Sequence, residues 1–236
     1  MTTISDLVKK KDGATLKAMA LDGDQDAALA FSELVFNAKY AGDASGGKTK
    51  KAAKDEARED AIEFMRSMAA EGSLKALKEW AEMNFEGVRE PGKFGGTVMN
   101  SFYAEAGKAF EEVLSHPELP DRERPAMMFK RGTCLLFCAR RSGEDRNSEV
   151  IALWEEGRAL KADGSLLCAH GLADLYWKLG RYEEAVECAK EAAEAYPFSH
   201  LTLYQAFKSG KGAPVNPELA RHHYARWDEL TAGKAG

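Results

Sequence analysis

The sequence predicts an all-α protein: an α-solenoid of about five antiparallel helix pairs wound into a right-handed superhelix. Three observations carry that expectation. The 236 residues include 38 Ala and 22 Leu but only 3 Ile and 8 Val. Such a composition suits helices and is poor in the β-branched residues that sheets use. Second, a small-x3-large-x2-small frame recurs at Ala61/Met65/Met68, Ala106/Phe110/Val113, Val150/Trp154/Gly157, Ala185/Ala189/Ala192 and Ala220/Tyr224/Trp227, at intervals of 45, 44, 35 and 35 residues. A frame that returns at such intervals is what stacked helix pairs produce. Third, no Pro- or Ser-rich linker breaks the pattern, so residues 1–236 read as one domain with repeats over 12–233.

A short helical region over 4–21 precedes the pairs. The first pair joins 24–40 to 55–71. AMALDG before it and MAAEG at its end both place Gly at a helix C-terminus. Between its helices, 41–54 (AGDASGGKTKKAAK) reads as a flexible loop. The second pair joins 73–86 to 97–115 across a long loop at 88–96, and the third joins 124–141 to 147–162. The fourth, 165–179 with 182–195, is the clearest. Leu172, Leu175, Tyr176 and Leu179 repeat at helical spacing before Gly180, and Tyr182, Ala185, Val186, Ala189 and Ala192 repeat after it. Pro197 stops the second helix. The small residues let two helices approach where they cross. The fifth pair joins 199–209 to 217–231.

Residues 166–197, LLCAHGLADLYWKLGRYEEAVECAKEAAEAYP, resemble a tetratricopeptide repeat (TPR). The matches are Leu172, Tyr176, Gly180, Tyr182, Ala185, Ala192 and Pro197. Ala173 stands where Gly is usual, and Ala189 where an aromatic is usual. The longer units are similar to the Sel-one-like repeat, a TPR relative with a longer loop between its helices. In 203–233, Phe207, Gly210, Gly212, Pro214, Ala220 and Tyr224 fit that family's G-x-G loop, Pro and second-helix frame. In 73–114, Ala81, Gly87 and the Ala106 frame fit it. The resemblance covers most of 12–233 and is strongest in 166–233.

One short motif competes. Gly42-Asp43-Ala44-Ser45-Gly46-Gly47-Lys48-Thr49 satisfies G-x4-G-K-[ST]. In a phosphate loop Lys48 would reach the phosphates, Thr49 would hold Mg²⁺, and the backbone at Gly42 and Gly47 would cradle the anion. That geometry needs a buried strand before the loop, and FSELVFNAKYA reads as helix. No apolar run ending in Asp supplies the second strand of such a site. Nucleotide binding at 42–49 is therefore the alternative, and an exposed, idle Lys48 is the expectation. Cys134 and Cys138 share a helix face, but two thiols do not complete a zinc site. His222 and His223 are adjacent and point to different faces of a helix. Trp154, Tyr224 and Trp227 lie within the repeat frame, which makes packing their expected role.

The remaining classes are narrowed by charge and composition. A net charge of -5 and a pI near 5.7 give no pull toward nucleic acid or an anionic membrane. The locally basic stretch 121–146, seven Arg/Lys against four acids, reads as a solvated helix face. There is no 18-residue apolar run, and MTTISDLVKKKDG lacks an apolar signal core. Four Cys are too few for a disulfide framework. A reduced, cytoplasmic protein without metal or cofactor is expected. No G-x-S-x-G, H-E-x-x-H, C-x-x-C or G-x-G-x-x-G is present, so the expected role is non-catalytic.

The resemblance implies what that role is: a scaffold or adaptor binding a peptide or protein partner in the concave groove. In such stacks the first helix of each pair lines the groove. The corresponding positions here are His170, Asp174, Trp177 and Lys178, continued by Gln205 and Lys208. A Trp on a polar stripe suits an interface anchor; the competing account packs Trp177 on the preceding repeat. The family's clamp for acidic peptide ends uses Lys and Asn, where this chain offers His170 and Asp174. The expected ligand is thus a neutral or mildly basic segment.

Overall fold

The computed structural model describes residues 3–36, 40, 42, 49–86 and 98–232, the side chains of 86 and 98–102 excepted. Among these residues the chain forms twelve α-helices and one 3-10 turn, with no strand. It is all-α, and within each compact unit helices that follow one another in the chain pack together. Two compact units result, Met1–Val113 and Leu114–Gly236.

In the first unit the leading helical region is two helices, α1 (Ile4–Lys10) and α2 (Gly13–Leu21). Lys11 ends α1 in a left-handed conformation, φ 56°. Asp12 then restarts the chain, its carboxylate accepting the Thr15 N–H at 3.1 Å, a standard N-cap. Helix α3 (Gln25–Phe36) packs on α4 (Lys50–Ala70). Phe31 is fully buried and meets Tyr40 and Phe64 edge-on, with centroids 5.9 and 5.8 Å away. Leu16, Leu34, Ala57 and Ala61 close the same cluster. Met65 and Met68 carry the core on to Ala76 of α5 (Leu74–Glu86). On α6 (Val98–Ser115), Tyr103 and Phe110 take the Phe85 ring, each at 5.8 Å.

Helix α4 begins inside the stretch expected to be a loop, 41–54. The Thr49 hydroxyl accepts the Ala52 N–H at 3.2 Å, and Ala53 and Ala57 are buried on the first turns. Cap and burial together hold residues 50–54 helical.

The second unit runs α7 (Arg124–Ser142), α8 (Asn147–Ala159), α9 (Ser165–Lys178), α10 (Tyr182–Ala192), α11 (Phe198–Ser209) and α12 (Pro217–Ala232). Besides the chain-order contacts, α7 touches α9 and α9 touches α11, so first helices of successive pairs are neighbours. Trp154 of α8 shows how closely they pack. Its indole stacks on Phe129 at 5.4 Å and donates to the Phe129 carbonyl at 3.2 Å. A Cβ at Gly132 would lie 2.2 Å from its Nε1, and one at Gly171 would lie 2.8 Å from its Cζ3. The indole thus fills a slot walled by α7 and α9.

The recurring frame is buried at its first four occurrences: Ala61/Met65/Met68, Ala106/Phe110/Val113, Val150/Trp154/Gly157 and Ala185/Ala189/Ala192. The fifth departs from the expectation of packing. Ala220 is buried, but Tyr224 is 47% exposed and Trp227 only half-buried. Helix α12 packs chiefly on α11, and Ala220 is its sole fully buried residue.

Candidate functional site

The surface marked out by the repeat pattern lies on α9 and α11. Helix α9 starts at Ser165, whose hydroxyl donates to the Gly157 carbonyl and accepts the Ala162 N–H, both within 2.9 Å. Its core face buries Cys168, Leu172, Leu175 and Tyr176. Helix α11 ends at Gly210, which bonds back to Ala206 at 2.9 Å. The following loop crosses the α9–α10 turn so closely that a Cβ on Gly212 would sit 2.2 Å from the Tyr182 carbonyl oxygen.

His170 is half-buried and turned toward the next pair. Its Nδ1 lies 2.8 Å from the Ser199 hydroxyl and its ring stacks on Tyr196 at 5.4 Å. Burial lowers its pKa below the ordinary histidine value, against the pull of Asp174. It is a packing residue between repeats, at the edge of the surface. Asp174 and Lys178 are exposed and form an i,i+4 ion pair with each other. Trp177 is half-buried; its ring meets Tyr182 edge-on at 5.0 Å, so its partner is the second helix of its own repeat. The Lys211 ammonium lies over that tyrosine, 4.9 Å from the ring centre. On α11, Gln205 is exposed, and Lys208 lies 5.1 Å from the centre of the Tyr204 ring and donates to its hydroxyl at 2.8 Å. Tyr204 in turn touches Tyr224, 5.2 Å away.

Comparison with known proteins identifies one part of this architecture. The family model described as "Tetratricopeptide repeat" fits residues 167–199, which span most of α9, all of α10 and the first two residues of α11. That stretch is similar to a tetratricopeptide repeat, set within an all-α array of helices. Among solved structures, a Sel1 repeat protein from Oxalobacter formigenes is similar at 14% identity, covering 94% of this chain and 89% of that one, with a TM-score of 0.26. No curated protein sequence matches the chain. Repeats of the TPR kind are generally protein–protein interaction modules and typically non-enzymatic.

Within the TPR frame, several surface residues escaped the sequence reading. Tyr182, a match to the repeat, carries a lysine on its ring, and so does Tyr204. Arg181 does the same over Tyr176, 4.2 Å from its centre, while the Tyr176 hydroxyl donates to Glu155. Signals for these pairs are weak: Lys208 follows Tyr204 by one helical turn, but Lys211 reaches Tyr182 across the repeat boundary.

The 42–49 loop does not gain the surroundings of a phosphate site. Helix α3 precedes it, and no strand occurs among the described residues. The Gly42 backbone rests against the Ala53 carbonyl, where a Cβ would lie 2.0 Å from the oxygen. The Thr49 hydroxyl is engaged as the α4 cap. Gly47 and Lys48 lie outside the described residues. Cys134, Cys168 and Cys188 are buried, and Cys138 is half-buried. Burial pushes the Cys134 thiol up to about 12, with Cys138 adding to it, and burial raises Cys138 as well. Cys168, also raised to about 12, donates to the Pro125 carbonyl at 3.3 Å.

Proposed function

We propose that this chain is a non-catalytic scaffold or adaptor that binds a peptide or helical segment of a protein partner along the groove formed by α9 and α11. The observation that carries the reading is Trp177: half-buried, braced edge-on by Tyr182, and flanked by exposed polar side chains. An aromatic held in place before binding loses little freedom on binding, which suits an anchor. Asp174 and His170 lie on the same stripe one and two turns back, and Gln205 and Lys208 extend it on α11. Charge favours a neutral segment. Asp174 spends its carboxylate on Lys178, which removes the ground for a basic ligand. The cytoplasm is the proposed compartment, since all four thiols are free and a reducing environment keeps them so. Among the described residues no helix is long and apolar enough to cross a membrane.

Peptides selected from a random phage-displayed library against the immobilised chain would test this. Calorimetry then compares wild type with Trp177→Ala and Asp174→Lys. A hot-spot loss of about 2 kcal/mol corresponds to a roughly thirtyfold weaker Kd for Trp177→Ala, with the far-UV CD spectrum unchanged. Peptides that bind both variants at wild-type strength would show that the groove lies elsewhere.

A further inference from the structure

We propose that the contact between His200 and His223 is an acid-labile latch, which holds α12 on α11 at neutral pH and releases it in mild acid. His200 is 2% exposed on α11, and its Nδ1 lies 3.0 Å from the Nδ1 of His223 on α12. His223 also stacks parallel on Phe207, 5.6 Å away. Two facing Nδ1 atoms bond only when one carries hydrogen and the other does not, so the rings hold opposite tautomers.

The Nε2 of His200 is buried and has no hydrogen-bond partner. It is therefore best left as a bare lone pair, with His200 Nδ1–H donating to His223. An added proton has two places to go. On His200 it creates an unpaired N–H at the buried Nε2. On His223 it turns Nδ1 into a donor, and His200 keeps the bond only by moving its own proton to that same Nε2. Either route places a hydrogen, within a charged pair, where nothing accepts it. Release lets both rings reach water and take protons freely.

The surrounding charges do not undo this. From α10 and the turn after it the pair faces Lys190 and Glu194; from α12 it faces His222 and Arg226. From α9, His170 binds the neighbouring Ser199. Glu194 favours protonation, but Arg226 lies 3.7 Å from it and opposes. Burial first, then His200 and His222, bring His223 down to about 4, and burial also lowers His200. The sign follows: both docked values lie below the ordinary 6.5, so docking is at full strength above that pH and weakens as pH falls toward 4. Besides this contact, α12 is held by buried Ala220, by Tyr224 on Tyr204 and by Arg226 with Glu194. Release would uncover the face of Phe207 on which His223 stacks. It would also free Tyr204 from Tyr224, remodelling one end of the proposed groove; that consequence alone rests on the proposed function.

Amide hydrogen exchange, corrected for intrinsic rates at each pH, tests the latch. From pH 7.5 to 5.0, above most carboxylate titration, His223 alone raises the undocking constant about 25-fold. Protection factors along α12 should fall by that factor while those of α9 stay nearly level. In the double variant His200→Leu/His223→Phe, the α12 fall should shrink to less than threefold. If that variant does not fold, NMR titration of wild-type His223 replaces it: a pKa well below 6.5 is expected. A wild-type fall under threefold, an equal fall in α9, an undiminished fall in the variant or an ordinary His223 pKa would each overturn the proposal.

Discussion

Gly132→Ala should destabilise the protein, although the same change at an open helical site does the opposite. In a helix interior Ala is better than Gly by about 1 kcal/mol. At Gly132 the new Cβ would stand 2.2 Å from Nε1 and 2.6 Å from Cε2 of Trp154. The indole would have to retreat by roughly 1 Å to restore ordinary contact. Retreat stretches its bond to the Phe129 carbonyl, now 3.2 Å, and presses its far edge on Gly171, which already comes close to it. Overpacking of this kind costs about 1–3 kcal/mol, and a weakened buried hydrogen bond adds about 1. The net loss is about 1–3 kcal/mol after the helix gain is subtracted. Trp154→Phe deletes the ring portion that carries Nε1, so in that background Gly132→Ala should be neutral or stabilise by up to ~1 kcal/mol. Urea denaturation of the four proteins, followed by far-UV CD, gives the coupling, expected at about 2 kcal/mol. A Gly132→Ala protein more stable than wild type, or an equal cost in both backgrounds, would refute the slot.

Gly212→Ala combines a left-handed φ of +74° with a Cβ 2.2 Å from the Tyr182 carbonyl oxygen. A loss of at least ~1–3 kcal/mol is expected in thermal melts, and an unchanged Tm would contradict the crossing. Arg158→Met removes the 2.7 Å bond from Nε to Glu191. Burial works to raise the Glu191 pKa, but bonds from Lys161 and Arg158 outweigh it and hold the carboxyl below its ordinary 4.5. The stabilisation is therefore present above pH 4.5 and lost as pH falls through the lowered value. The variant should be less stable than wild type by about 1–2 kcal/mol at pH 7, with the gap narrowing below pH 4; a pH-independent gap would exclude the ion pair as its cause.

The helices were legible because each carries its own evidence. Apolar positions at helical spacing mark α9, and Gly180 and Gly210 mark its turn and the end of α11. The misses have identifiable causes. Thr49 fits both a phosphate-loop pattern and a helix N-cap, and nothing local separates the two; the burial of Ala53 decides. Tyr224 repeats the frame of Trp154, yet Trp154 has α7 and α9 around it, while α12 packs chiefly on α11. The surface was legible only as positions. Asp174 and Lys178 stand one turn apart, so their pairing could be read from spacing. The bond of His170 to Ser199 spans 29 residues and depends on how α9 meets α11, which no spacing rule contains.

The crossing of Gly212 over Tyr182 bears on how such arrays can be rearranged. The glycine is encoded in one repeat, but part of the demand for it comes from the backbone of the repeat before. Moved to a new neighbour whose turn is set back by an ångström or two, the loop would keep only the demand of its left-handed φ and lose this register mark. Placed after a unit with the same turn, it would be locked as it is here. Duplication or exchange of units in this chain would therefore succeed at junctions that carry Tyr182 and Gly212 together, and an engineer splicing repeats would cut within a helix pair's own hairpin only at the cost of breaking that match.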